Sequence, residues 1–218
     1  MAARDWHDWH RAYAQPASFL SRRLAVVQDR IREFLDRAAP GPLRVVSLCA
    51  GQGRDLLETL GTHPRRTDVT ARLVELDPRN AAVAADTART AGLDGVEVVV
   101  GDAALVDRYA DLVPADLVLV CGVFGNITDD DVRRTVGYCA QLCATGGTVV
   151  WTRHRDEPDL VPRICDWFAA EGFTLSWISD KAAGFGVGVH RFAGAPRPLD
   201  RGARMFTFVA DPPPRART

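Results

Sequence analysis

Between Leu20 and Leu35 the apolar residues Leu20, Leu24, Val27, Ile31, Phe34 and Leu35 recur at helical spacing, with Arg and Asp between them. The pattern predicts an amphipathic helix that ends near Pro40-Gly41-Pro42. From Leu43 onward it changes to short unbroken apolar runs, as buried parallel strands require, most of them followed by a longer mixed segment. Strands are predicted at 43–49, 71–76, 96–100, 117–121 and 147–152. One helix is predicted to begin at Arg54. A second opens with Asp77 as N-cap and Pro78 in the first helical position and runs to Ala91. A third starts at the Thr128 cap, with acids in its first turn, and a fourth spans 157–170. Three further strand-like runs lie at 174–178, 186–192 and 205–209. Five strand–helix alternations closed by a β-rich end imply an α/β fold, a doubly wound and mostly parallel sheet with antiparallel strands at one edge.

The 218 residues and 47% hydrophobic content suit one substantial core, so a single domain is expected. It divides into a helical cap or lid over 1–42, a core over 43–210 and a disordered tail over 211–218. Net charge is −1, and the basic residues, all Arg but for Lys181, are scattered. Neither a nucleic-acid nor a membrane partner is expected from that distribution. Five cysteines without a C-x-x-C pair fit a reduced compartment, and no metal site is expected. The N-terminus lacks the character of a signal peptide, and no apolar run approaches membrane-spanning length, so the expected location is the cytoplasm.

The candidate chemistry begins at Val45-Val46-Ser47-Leu48-Cys49-Ala50-Gly51-Gln52-Gly53-Arg54-Asp55, a strand that breaks into a small-residue turn and restarts as a helix. Such a turn lets backbone amides approach a ligand. A dinucleotide fingerprint would need a third glycine where Leu56 stands, and no phosphate-loop G-K-[ST] follows. The spacing resembles motif I of the class I S-adenosylmethionine-dependent methyltransferases, [D/E]-x-G-x-G-x-G. Ser47, Cys49, Gly51 and Gly53 fall on its four defined positions, with Ser47 replacing the acid and Cys49 the first glycine. Glu75, Asp77, Pro78 and Ala84 fit the family's acid–x–[S/D]–Pro pattern and its following helix. Gly101-Asp102-Ala103 resembles its third element, and Cys121-Gly122-Val123-Phe124-Gly125-Asn126 occupies its motif IV region.

The resemblance covers roughly 43–192 and implies a seven-stranded sheet holding S-adenosyl-L-methionine. It assigns cofactor contacts to Ser47, Cys49, Ala50, Gly51 and Gly53, to Glu75 and Leu76, to Asp102 and Ala103, and to Cys121 and Gly122. Glu75 would accept both ribose hydroxyls and Asp102 the adenine amino group, while Asp77 would serve mainly as a helix cap. Motif IV lacks the Asn/Asp-Pro-Pro-Tyr/Phe box of many base and glutamine methyltransferases.

Acceptor-side candidates are His154 at the end of the fifth strand, Phe124 and Asn126 after the fourth, and His7, His10 and Tyr13 in an aromatic-rich N-terminal segment. His154 reads equally as a general base or as a strand-end surface histidine. The segment holding Trp6, His7, Trp9, His10 and Tyr13 reads as a lid, with core packing the simpler role for Trp6 and Trp9. His190, Cys139 and Cys143 read as structural. The function expected is methyl transfer to an O, N or C nucleophile of a small molecule. RNA or protein methylation, a non-methylating use of the cofactor, and a catalytically silent binding protein stay open as alternatives.

Overall fold

The computed structural model describes residues 5–9, 13, 15 and 18–209. A short helix α1 (Trp6–Trp9) precedes the long α2 (Phe19–Arg37). The rest runs β1 (Leu43–Leu48), α3 (Arg54–Thr62), β2 (Val69–Glu75), α4 (Pro78–Thr90), β3 (Val96–Val100), β4 (Ala115–Val120), α5 (Asp129–Leu142), β5 (Cys143–His154), α6 (Val161–Ala170), β6 (Phe173–Ile178) and β7 (Phe185–Phe192). The seven strands order as β3-β2-β1-β4-β5-β7-β6. Strand β7 pairs antiparallel with both β5 and β6, and the other pairings are parallel.

The pleat sends alternate residues to two helical layers. Val46, Leu48, Val118, Val120 and Trp151 face the layer holding α5 and α6. Val45, Leu117, Leu119, Val150 and Val187 face the layer holding α2, α3 and α4. Ser18 caps α2, its side chain accepting the Ser21 N–H at 3.1 Å. The buried stripe of α2 is Leu20, Arg23, Val27, Ile31 and Leu35, so one cation stands in an otherwise apolar row.

Three expectations about the elements are corrected. Between β3 and β4 no α-helix forms; a 3-10 turn over Val106–Tyr109 makes the crossover, anchored by the Tyr109 hydroxyl donating to Ala103 O at 2.9 Å. Helix α6 begins at Val161 and not near Glu157, because Asp159 accepts the Val161 N–H at 3.0 Å and binds Arg155 at 2.8 Å, holding the preceding residues as a loop. The run at 205–209 adds no strand. It packs Met205 and Phe206 into the core and touches the sheet-end loops through two isolated bridges, Leu105 with Arg204 and Ile127 with Phe208. Residues 211–218 lie outside those described.

Candidate active site

Strand order reverses between β1's two neighbours, β2 and β4. In an open α/β sheet a ligand crevice forms at that point, beyond the carboxyl ends of the strands. A cavity of about 540 Å³ opens there, walled by the turns after β1, β2 and β4, the end of β5, one side of α2, and Trp6, Tyr13 and Phe208. Its size is that of a small-molecule site.

The β1 turn carries three left-handed residues, Cys49 (φ 50°), Gly51 (φ 57°) and Gly53 (φ 68°). Cys49 therefore adopts the backbone that a glycine would take more cheaply, which costs roughly 1–2 kcal/mol. The turn is fixed from β2: Glu75 Oε2 accepts the Gly51 N–H at 2.8 Å, and Oε1 accepts the Asp77 N–H at 2.8 Å. Burial raises the Glu75 carboxyl, and these two backbone donors oppose that shift. Each oxygen keeps a second lone pair for a ligand hydroxyl. Beside it Leu76 is 67% exposed at the cavity wall, an apolar surface open to a flat partner.

Two ionisable side chains of opposite charge face the cavity, each within electrostatic reach of the other. Arg23 is buried on α2, and its recorded hydrogen bond is from Nη2 to the Tyr13 hydroxyl, at 3.4 Å. Asp55, in the first turn of α3, accepts the N–H of Leu56 at 2.8 Å, and burial pushes its carboxyl up to about 6. Burial also drives the Cys49 and Cys121 thiols well up, which favours their neutral form.

At the other end, Thr152 Oγ1 accepts the Gly122 N–H at 2.8 Å, and Asn126 Nδ2 donates to Gly122 O at 2.6 Å. These bonds set the turn after β4, where Gly122 has φ 78° and a Cβ added to it would stand in open space. His154 lies with Nδ1 3.3 Å from Asp156 Oδ2. Arg153 Nη1 donates to Phe124 O, and its Nη2 is 3.9 Å from the half-exposed Asp129.

Of the residues expected at the site, Cys49, Ala50, Gly51, Glu75, Leu76, Cys121, Gly122, Tyr13, Asn126 and His154 line this cavity. The others do not. Ser47 sits inside β1 between Leu73 and Leu119, one step short of the turn. Gly53 is needed for packing, since a Cβ there would meet Leu57 and Leu73 at 2.7 Å. Asp102 is engaged elsewhere, accepting the Ala104 N–H at 3.0 Å and pairing with Arg204 at 2.6 Å. Ala103 is buried in the core, and Phe124 packs on Trp151 with ring centroids 5.8 Å apart. His7 is outside the cavity wall, and His10 lies outside the described residues. Sequence reasoning missed Arg23, Asp55 and Arg153. Arg23 left a signal, a cation at an apolar position of the α2 stripe; Asp55 and Arg153 left none beyond nearness to the motifs.

The strand order and the position of the cavity define the fold of the class I S-adenosylmethionine-dependent methyltransferases. The sequence profile of the family described as "Putative methyltransferase" matches residues 21–168, and the chain belongs to that family. No curated protein matches the chain. Among solved structures, an O-methyltransferase family protein from Burkholderia thailandensis superposes with TM-score 0.65 at 18% identity, over 87% of this chain and 59% of its own. The chain thus spans about three-fifths of that protein's length. The 1,6-didemethyltoxoflavin-N1-methyltransferase of the same organism, solved with bound 1,6-didemethyltoxoflavin and S-adenosylhomocysteine, gives 0.64 at 16% identity, over 87% and 84% of the two chains. Magnesium protoporphyrin IX methyltransferase from Synechocystis PCC 6803, solved with S-adenosylmethionine, gives 0.63 at 13% identity, over 88% and 99%.

Proposed function

We propose that the chain transfers a methyl group from S-adenosylmethionine to a small molecule in this cavity. The observation that carries the reading is that a buried cation, Arg23, and a buried acid, Asp55, line the same cavity as Glu75. An amino-acid end needs both a cation for its carboxylate and an anion for its ammonium, and burying those charges without a ligand is costly. A pyrophosphate would fare badly here, because Asp55 stands in the first turn of α3, where a dinucleotide's phosphates dock. Arg23 and Asp55 hold the amino-acid end, Glu75 the ribose hydroxyls, and Leu76 the face of the base.

Bound in this way, the cofactor supplies an electrophilic methyl carbon: its S–C bond breaks as the acceptor–C bond forms, leaving S-adenosylhomocysteine. The chain's task is alignment and exclusion of water. Gly122, without a side chain, leaves room between cofactor and acceptor, and Trp6 and Phe208, whose rings lie 5.9 Å apart, close the outer side. His154, whose ring lies beside Asp156, takes the proton that an O–H or N–H acceptor gives up. The cavity's volume and the similarity to structures named for a toxoflavin precursor and a porphyrin favour a small acceptor.

Calorimetry with S-adenosylhomocysteine tests the reading. The protein is expected to bind it, and Arg23→Met to weaken it at least ten-fold while leaving adenosine binding, which lacks the amino-acid end, within two-fold. Absence of binding by the unaltered protein would end the proposal.

A further inference from the structure

The acceptor end of the cavity holds a second incompletely satisfied cation. Only 11% of the Arg153 side chain is exposed. Of its five N–H donors, Nη1 alone has a close partner among the described residues, the carbonyl of Phe124, and Nε is buried with none among them. Among the described residues its one ion-pair partner is Asp129 at 3.9 Å, beyond hydrogen-bond reach and half exposed to solvent. Next to it, Asn126 is 95% buried; its Nδ2 is committed to Gly122 O, and its Oδ1 has no partner. Both residues line the cavity with Trp6 and Phe208. Unfilled guanidinium donors and an orphaned amide oxygen in a buried wall are each destabilising, and a ligand that supplied the missing groups would relieve both.

We infer that the methyl acceptor is a small aromatic acid bearing a hydroxyl or amino group: its carboxylate pairs with Arg153, and its O–H or N–H donates to Asn126 Oδ1. The inference rests on the methyltransferase reading and names the acceptor's class. Guanidinium is the group best shaped for a carboxylate, which it can meet with two parallel N–H donors. Burial lowers the Arg153 pKa, and the charges of Asp129, Asp156 and Asp159 oppose that shift without making a close hydrogen-bonded pair with it. Aromaticity follows from the walls, since flat rings bury well against Trp6 and Phe208. His154, adjacent in the chain to Arg153, then lies near the donor group that loses its proton.

The test is calorimetric titration of the protein saturated with S-adenosylhomocysteine, using a panel of hydroxy- and aminobenzoates and the matching benzamides. At least one acid is expected to bind ten-fold or more tightly than its amide. Arg153→Met is expected to abolish that preference and Arg153→Lys to retain part of it, with the affinity for S-adenosylhomocysteine within two-fold in both. If no acid outbinds its amide, or if the preference survives in Arg153→Met, the acceptor class is wrong while the cofactor site stands. Failure of the unaltered protein to bind S-adenosylhomocysteine removes the methyltransferase reading and this inference together.

Discussion

Glu75 Oε2 accepts the backbone N–H of Gly51 at 2.8 Å, joining the tip of β2 to the turn that follows β1. Its other oxygen holds the Asp77 N–H, so one carboxylate shapes two neighbouring turns of the cavity wall. Glu75→Ala leaves both donors without a partner in a buried setting, which costs about 2–6 kcal/mol at 1–3 kcal/mol for each donor. It also removes the acceptor for the ribose hydroxyls. Urea denaturation is expected to show that loss of stability, and calorimetry a more than ten-fold drop in S-adenosylhomocysteine affinity. Unchanged affinity in a folded variant would remove Glu75 from the cofactor site.

Asp55 pits stability against binding. Its carboxyl ordinarily titrates near 3.8 and here near 6, so the folded protein holds a proton that the unfolded chain has released over that interval. Ionised Asp55 therefore penalises the fold above pH 6, and the penalty fades as pH falls toward 3.8. Asp55→Asn keeps the bond to the Leu56 N–H and is expected to stabilise the empty protein at pH 7 by about 1–3 kcal/mol. The gain should vanish near pH 4, and affinity for S-adenosylhomocysteine should fall. Melting temperatures of both proteins from pH 4 to 8 check the sign, and equal curves would contradict it.

His190 acts in the opposite direction and far from the cavity. It stacks on Phe168 with ring centroids 4.4 Å apart, and its Nδ1 accepts the Trp151 Nε1–H at 3.0 Å. Burial lowers its pKa from 6.5 to about 4, so the ring stays neutral in the fold after the unfolded chain has taken up a proton. This contribution is present above pH 6.5 and is lost as pH falls to 4, a change of up to about 3 kcal/mol. His190→Gln is expected to lower stability at pH 7 through lost packing and to flatten the decline between pH 6.5 and 4. A slope as steep as that of the unaltered protein would show that other groups carry it.

Strand positions were legible because the central strands are buried on both faces and read as unbroken apolar runs, and helix starts because Asp77 and Thr128 are strong caps. The crossover after β3 was not legible. Ala103, Ala104, Val106 and Tyr109 have the apolar content of a helix face, yet they bury themselves in a single tight turn. At the site, motif spacing led to Gly51, Glu75 and Gly122, whose roles are those of backbone and strand ends. It did not show that Asp102 pairs with Arg204, which is 102 positions away, because no local pattern encodes such a pairing. Arg23 and Arg153 were missed for the same reason: their burial in the cavity wall is set by three-dimensional packing, which no local pattern reveals.

Cys49 offers a test of the turn itself. With φ at 50°, it occupies the left-handed region where a Cβ crowds the following carbonyl, and the family pattern has glycine at this position. Cys49→Gly removes that strain but frees the unfolded chain and gives up some packing of the thiol against the core. The two effects oppose one another and are of similar size, so the expected change is small, within about 1 kcal/mol of zero. Cys49→Val makes the sharper comparison. A β-branched residue is a genuine outlier at positive φ, and either the strain persists or the turn shifts and pulls Gly51 from Glu75. Val is expected to cost at least about 2 kcal/mol more than Gly and to weaken S-adenosylhomocysteine binding, both read by denaturation and calorimetry. Equal stability for the Gly and Val variants would mean that the turn does not require a left-handed residue there.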